Sequence, residues 1–369
     1  MSDTKRKETS LALQALRSLA TWFDRQKRVL PWRDEPTLYH VWISEIMLQQ
    51  TQVITVLPYF QKFIRRFPTV ESLAKASLDD VLLHWAGLGY YSRARNIHKG
   101  AQMIVAARGA AGGAGKKNSG FPKTREGWLE IPGVGNYTAG AILSIALDQP
   151  EAILDGNVER VLSRVRRVSR ARGDTVFRSR LWTLSRATVT RAFDLGIAPS
   201  VTNQALMELG ATVCTPRKPM CMLCPVSTVC QAFRQGDVEN FPPKKKPKEW
   251  IKVQEQLHCL MDSEGRVLLR KREKGEWRAG LWDLLDDLSP RFTSKDYEKI
   301  GFVDSKHVVT RHKIQRTTHV WKLKKVPGEK LQLGPGFCWT RVSEDSIAMG
   351  SALKRTLQMV SERYPEMMG

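Results

Sequence analysis

Apolar residues recur every three to four positions through the first hundred residues. Leu11, Leu13, Leu16, Leu19, Trp22 and Phe23 form one series, and Val41, Trp42, Ile46 and Val53 another. This spacing gathers apolar side chains on one helical face, so residues 8 to about 105 are predicted helical, punctuated at Pro31 and Pro58. Residues 107–121 (ARGAAGGAGKKNSGF) are rich in Gly, Ala and Lys and read as a surface loop. A second helical block spans about 123 to 235. The stretch 236–250, GDVENFPPKKKPKEW, ends it, because adjacent prolines cannot continue a helix and the lysines favour solvent. Beyond it the pattern shifts to short strands, QEQLHCLMD at 254–262 and GRVLLRKRE at 265–273, around a turn at Ser263–Gly265. The expected organisation is a helical half over 1–235, a linker over 236–250 and a strand-containing domain over 251–369. No internal repeat of fixed period interrupts it.

The composition fits this division. The 369 residues are 42% hydrophobic, enough for two cores, since a single core rarely grows past about 250–300 residues. Lys and Arg number 59 against 37 Asp and Glu, a net charge of +22. An excess this large favours a polyanionic partner, because each neutralised phosphate releases counterions; a merely soluble basic protein is the alternative. No run of 18 uncharged apolar residues appears, so no membrane span is expected. The first residues, MSDTKRKETS, lack the apolar core of a signal peptide. A cytoplasmic protein, nucleoid-associated if bacterial, is expected. In that compartment six cysteines read as metal ligands or free thiols before disulfides.

Four of the six, Cys214, Cys221, Cys224 and Cys230, stand as C-x6-C-x2-C-x5-C. Four thiolates within 17 residues can converge on one metal centre, the close pair supplying adjacent ligands and the longer arms wrapping the other faces. Structural zinc more often takes two short C-x2-C pairs. Cys259 and Cys338 lie outside the pattern and read as ordinary core or surface thiols. About 80 residues upstream of the cluster, Pro132-Gly-Val-Gly135 sits between two apolar helical stretches. Gly133 and Gly135 allow a tight turn whose amides, with those of the following helix, can face a phosphate; an ordinary helical corner is the bland alternative.

Two acids stand out. Asp155, in Ile153-Leu-Asp-Gly-Asn-Val158, precedes the helix of Glu159–Arg166, where Asp before Gly is a routine cap. Glu45 interrupts the apolar stretch Val41-Trp-Ile-Ser-Glu-Ile-Met-Leu-Gln-Gln-Thr-Gln-Val53. It is either solvent-facing or a buried acid with a raised pKa. From Arg160 to Arg191 ten arginines accompany a single acid, Asp174, suiting phosphate contact at some positions and plain solvation at others.

Taken in order, the Glu45 segment, the glycine hairpin and the cysteine loop resemble the adenine DNA glycosylases (MutY-like) of the endonuclease III, helix-hairpin-helix superfamily. The resemblance covers nearly the whole chain and is most specific through residue 235. It implies an α-helical glycosylase half with a [4Fe–4S] cluster on Cys214, Cys221, Cys224 and Cys230, followed by an α+β Nudix-like domain. The activity implied is hydrolysis of the N-glycosidic bond of adenine mispaired with 8-oxoguanine or guanine in double-stranded DNA, by a monomer. On this resemblance Glu45 protonates adenine at N7 and then assists water, and Asp155 stabilises the oxocarbenium ion at C1′, with Asn157 and Tyr137 in the catalytic set. Tyr137 occupies the place where strand-cleaving relatives carry a Schiff-base lysine; a phenol forms no imine, so no dedicated β-lyase step is expected.

The resemblance further implies DNA contacts. Leu48, Gln49 and Gln50 enter near the vacated base stack, Tyr90 of Gly87-Leu-Gly-Tyr-Tyr91 wedges beside the lesion, and Arg33 of Pro31-Trp-Arg33 lies near the adenine pocket. In the C-terminal domain Val267-Leu-Leu-Arg-Lys-Arg272 and Gly280-Leu-Trp282 match the family, while no REx2EE box is visible, which argues against pyrophosphohydrolase activity. The family reads 8-oxoguanine with a loop that is typically Phe-Ser-His. Here Lys306-His-Val-Val-Thr-Arg-His312 departs from it: Val309, Thr310 and Arg311 fill the loop on one alignment, and His312 substitutes in another register. Three rivals stand beside this reading: an endonuclease III-like glycosylase for oxidised pyrimidines, a non-catalytic DNA-binding module, and a Nudix-type hydrolase.

Overall fold

The computed structural model describes residues 3–110, 120–168, 175–243, 249–288, 292–324, 336–341 and 347–367. They form two compact units, Met1–Lys75 with Asn96–Lys246, and Ala76–Arg95 with Pro247–Gly369. Along the chain run α1 (Asp3–Gln26), α2 (Pro31–Asp34), α3 (Leu38–Leu48), α4 (Val53–Arg66), α5 (Val70–Lys75), α6 (Leu78–Trp85) and α7 (Ser92–Ala110). After them come α8 (Arg125–Leu129), α9 (Asn136–Leu147), α10 (Gly156–Val165), α11 (Thr175–Asp194), α12 (Pro199–Thr212) and α13 (Gln231–Arg234). The strands are β1 (Ile251–Met261), β2 (Arg266–Lys271), β3 (Trp282–Asp283), β4 (Tyr297–Val309), β5 (His312–Leu323) and β6 (Phe337–Arg341), and α14 (Ser351–Arg363) follows. Among the described residues no helix is long and apolar enough to cross a membrane.

In the first unit α3 is the central helix. It is apolar nearly all round, and every residue from Leu38 to Met47 except His40 is buried, as a helix enclosed by neighbours must be. Thr37 caps it, its hydroxyl accepting from the His40 amide at 3.1 Å. α9, buried from Thr138 to Ile145, packs against α3 and α12, and α12 packs in turn against α1 and α10. A Cβ on Gly140 would stand 2.4 Å from the Ala152 carbonyl oxygen, so only glycine lets α9 lie this close to the segment that leads to Asp155.

Two local expectations are corrected. Pro58 ends no helix: it lies within α4, whose buried face of Val56, Phe60 and Phe63 carries the helix through it. The expected loop at 107–121 starts late, since α7 continues to Ala110; residues 111–119 of that stretch, and 244–248 of the expected linker, lie outside the described residues.

The second unit is built on a mixed sheet in the order β3-β2-β1-β5-β4, with β6 paired to β2. β1 and β5 run parallel over eleven residue pairs, from Ile251 with His312 to Met261 with Lys322. Alternation sets its faces: Leu257, Cys259 and Met261 turn toward Leu353, Leu357 and Val360 of α14, while Leu260 and Leu268 join Leu285 and Phe292 in a second cluster. Buried charges are paired, as burial demands: fully buried Arg316 meets Glu255 at 3.0 Å and Asp283 at 3.4 Å. Residues 76–95 are tied into this unit by Lys271 Nζ on Asp79 (2.6 Å) and by Arg95, which donates to the Ala279 carbonyl at 2.7 Å.

Candidate functional site

A cleft of about 860 Å³ opens in the first unit between α2, the C-terminal end of α3, α9, the start of α10 and α12. Glu45 projects into it from α3 yet keeps only 5% of its surface exposed. Of the two readings the sequence left open, burial is the one observed. Its Oε2 accepts a hydrogen bond from the Tyr137 hydroxyl at 2.7 Å. Removal from water pushes the Glu45 carboxyl up to about 7, the negative Asp155 adding to the rise and the Tyr137 hydrogen bond and Arg33 opposing it. Near neutrality this acid still carries a proton much of the time.

Asp155 faces the same cleft in a different setting. It is the N-cap of α10, which begins at Gly156 rather than at the Glu159 expected from sequence, and its Oδ1 accepts from the Val158 amide at 2.7 Å. Its Oδ2 accepts from the Asn157 side chain at 3.0 Å. Burial raises this carboxyl as well, but those two hydrogen bonds and the charge of Arg160 counter the rise. The cleft thus holds one carboxyl short of donors beside one well supplied with them, the pattern that separates an acid from an anion.

The polar chain continues behind Asp155. Asn157 Oδ1 accepts from Arg160 Nη2 at 2.7 Å, and Arg160 Nε donates to the Cys214 carbonyl at 2.7 Å. One turn on, Arg164 donates to the Thr215 carbonyl at 2.7 Å and lies 3.3 Å from Cys214 Sγ. These two arginines were expected at phosphates or in solvent; both are buried braces for the cysteine loop. Periodicity explains it, since positions four apart share the helix face turned to that loop. α10 reaches α12 across Gly210, where a Cβ would stand 2.6 Å from Asn157 Cβ.

Cys214, Cys221, Cys224 and Cys230 line one cavity together with Val161, Arg164 and Leu209. Single 3-10 turns at Cys221–Leu223 and Ser227–Val229 bend the chain so that the thiols return to it, and Cys230 caps α13. None of the six cysteines is joined in a disulfide. Among the described residues no three His, Cys, Asp or Glu groups converge closely enough to share a single metal ion.

The two hairpin glycines differ in what they do. Gly133 has φ +80°, and a Cβ there would meet Asn96 Nδ2 at 2.9 Å, so both backbone and space require glycine. Gly135 is an extended N-cap of α9 with open space where a Cβ would go, so no contact within the protein demands it. Gln49 ties this hairpin to α3, its amide donating to the Gly133 carbonyl at 3.2 Å. Leu48, Gln49 and Gln50 line the cleft beside Glu45, with Gln50 at φ +60°.

Arg33 is also in the cleft wall. The residues that hold it, Arg28, Gln204 and Glu208, had no place in the sequence reading. A signal existed: Glu208 is the single acid between Pro199 and Cys214, the same anomaly that marked Glu45.

The remaining expected residues belong to the second unit. Tyr90 follows Gly87 (φ +101°) and Gly89 (φ +74°), itself adopts φ +49°, and lies under the Arg93 guanidinium at 5.2 Å. Val309 pairs with His312 to close a two-residue turn of Thr310 and Arg311, with Thr310 at φ +53°. Thr310 and Arg311 stand exposed at the tip; His312 is half-buried, edge-on to Trp277 at 4.9 Å.

A family described as "HhH-GPD superfamily base excision DNA repair protein" matches residues 43–186. The chain is 38% identical over 287 residues to an adenine DNA glycosylase of Buchnera aphidicola subsp. Acyrthosiphon pisum, covering 77% of this chain and 76% of that protein. It is 46% identical over 233 residues to the adenine DNA glycosylase of Homo sapiens, covering 61% of this chain and 40% of that protein. The chain thus spans under half the length of the mammalian and plant relatives it matches. Among solved structures, a thermostable thymine-DNA glycosylase superposes with a TM-score of 0.51 at 24% identity, over 63% of this chain and 100% of that one, which is a likeness of fold.

Proposed function

Since the chain belongs to the adenine DNA glycosylase family, we propose that it hydrolyses the N-glycosidic bond of adenine in DNA, and that adenine mispaired with 8-oxoguanine or guanine is its substrate. The observation that carries this reading is the pair of unlike carboxyls in one cleft, a proton-holding Glu45 and a hydrogen-bonded Asp155. An extruded adenine leaves poorly as an anion, so Glu45 gives its proton to N7 as the C1′–N9 bond breaks. The sugar is left as an oxocarbenium cation, and Asp155, fixed at the N-terminus of α10, supplies the facing negative charge. Water then adds at C1′ and its proton passes to the Glu45 carboxylate, which restores the acid. Tyr137 holds Glu45 in place and offers no amine, so the reaction stops at the abasic site without strand cleavage.

The chemistry of the donor set suits an iron–sulfur group: four thiols and no imidazole line one cavity, braced by buried arginines. Cys214, Cys221, Cys224 and Cys230 would hold a [4Fe–4S] cluster, whose contribution when bound is to tie four distant points of the loop together. The exposed turn of Val309, Thr310 and Arg311 supports the residue 251–369 domain as reader of 8-oxoguanine: the Thr310 hydroxyl, which donates to the Val309 carbonyl at 2.8 Å, keeps its lone pairs to accept from a base edge, and the exposed Arg311 has donors to offer one. The net charge of +22 supports double-stranded DNA as the partner. The test is single-turnover excision from duplexes with adenine opposite 8-oxoguanine, guanine, cytosine and thymine. Release of adenine from the first two is expected. Release of oxidised pyrimidines with adenine left in place would overturn the proposal.

A further inference from the structure

Arg28, Arg33 and Glu208 form a closed arrangement in the cleft wall. Glu208, on α12, keeps 1% of its surface exposed. Its Oε1 accepts from Arg28 Nε at 2.6 Å, and its Oε2 from Arg28 Nη2 at 3.0 Å and Arg33 Nη2 at 2.8 Å. Arg33 is held at two further points: Nε donates to Gln204 Oε1 at 3.0 Å, and Nη1 to the Arg28 carbonyl at 3.0 Å. Its guanidinium is therefore fixed at all three nitrogens, and its carbon lies over the Phe23 ring, 5.4 Å from the centroid.

One buried carboxylate thus answers two cations that line the cleft of the proposed acid. The charged and titratable groups that act on Glu45 come from every side: Tyr137 from α9, Asp155 from α10, and Arg33 from α2, with Arg28 and Glu208 behind Arg33. A free guanidinium in this low-dielectric wall would favour an ionised Glu45, which has no proton to give a purine.

We propose that Glu208 is a positioning residue for excision: it clamps Arg33 to the cleft wall and offsets its charge, so that Glu45 faces a held and partly neutralised cation. The inference rests on the acid role proposed for Glu45. Without Glu208 the same wall carries an uncompensated positive charge and an unfastened guanidinium. The clamp also serves an energetic end, because Glu208 itself stays ionised: the two arginines hold its carboxyl below the usual range despite burial.

The test follows Glu45 itself, by carboxyl 13C NMR titration of the full chain with Glu45→Gln as the assignment blank, alongside single-turnover excision from pH 5.5 to 9. In Glu208→Gln the Glu45 midpoint and the alkaline limb of excision should both move down by roughly half a pH unit or more. Arg33→Gln should move both up, and Glu208→Asp, which keeps the charge, should stay near wild type. A folded Glu208→Gln that loses rate equally at every pH, with Glu45 titrating as in wild type, would reduce Glu208 to structural support and overturn the inference. Should Glu208→Gln fail to fold, Arg33→Gln decides, since an unmoved Glu45 midpoint there also overturns it. A wild-type chain that excises no adenine sinks the proposed activity, while the NMR midpoints still judge the clamp.

Discussion

Glu45→Gln separates what this residue costs the fold from what it does in the cleft. A carboxyl that rises from its ordinary 4.5 to about 7 on folding binds its proton more tightly in the native state than in the unfolded chain. Stability must then fall as pH climbs through that window, because the unfolded chain has already released a proton that the native state still holds. At about 1.4 kcal/mol for each tenfold, the full penalty above pH 7 is about 3 kcal/mol, and below pH 4.5 it vanishes. With only 5% of its surface exposed, Glu45 is little screened by solvent. Gln carries no charge, fits the same space and still accepts from the Tyr137 hydroxyl, though its amide protons lack an assigned acceptor, which trims the gain to about 2 kcal/mol. The expected result is a variant more stable than wild type by about 2 kcal/mol at pH 8.5 and roughly equal to it at pH 5, read by urea unfolding at the two pH values. The same variant should lose excision by about 10²–10⁴, having no proton for the purine. Wild-type and variant stabilities that run parallel from pH 5 to 8.5 would refute the buried-acid reasoning. Retained excision would remove Glu45 from the chemistry.

Asp155→Asn should fold normally, since Asn caps a helix as well as Asp, but excise about 10²–10³ times more slowly for want of the negative charge; a melting curve beside a single-turnover rate checks both halves. Gly210→Ala drives a Cβ to 2.6 Å from Asn157 Cβ and 2.9 Å from its Cα, so a loss of about 1–3 kcal/mol is expected together with slower excision as the Asp155 turn shifts. The purified chain should carry about four irons, and Cys224→Ser should lose them with a lower melting temperature; stoichiometric zinc in anaerobic wild-type protein would contradict the cluster. Thr310→Ala with Arg311→Ala should cut the preference for adenine opposite 8-oxoguanine over guanine by about ten- to hundredfold, and a shift seen only in His312→Ala would mean the reading register lies one residue further on.

The sequence by itself determined the elements whose causes are local. Three-to-four spacing and adjacent prolines marked the helical half and its end, and strand texture placed β1 and β2 within three residues of where they run. Cysteine spacing and the glycine pair needed only short-range geometry, so both were legible, as was Asp155 as a cap. Where several long-range partners had to meet, the sequence was silent. Glu45 in an apolar stretch fits burial or solvent equally, and only the fold, which buries it and brings Tyr137 of α9 and Asp155 at the start of α10 beside it, removes its water and raises its pKa. Arg160 and Arg164 looked like two more cations in a basic run until the fold brought carbonyls of the cysteine loop to meet them. Glu208 lies 175 residues from Arg33 along the chain, and no local pattern couples them. Pro58 shows the converse, a strong local breaker overruled by the buried face of α4. Backbone propensity and spacing act over a few residues, whereas desolvation and charge pairing depend on what tertiary packing brings near, and the chemistry proposed for this cleft rests on the second kind.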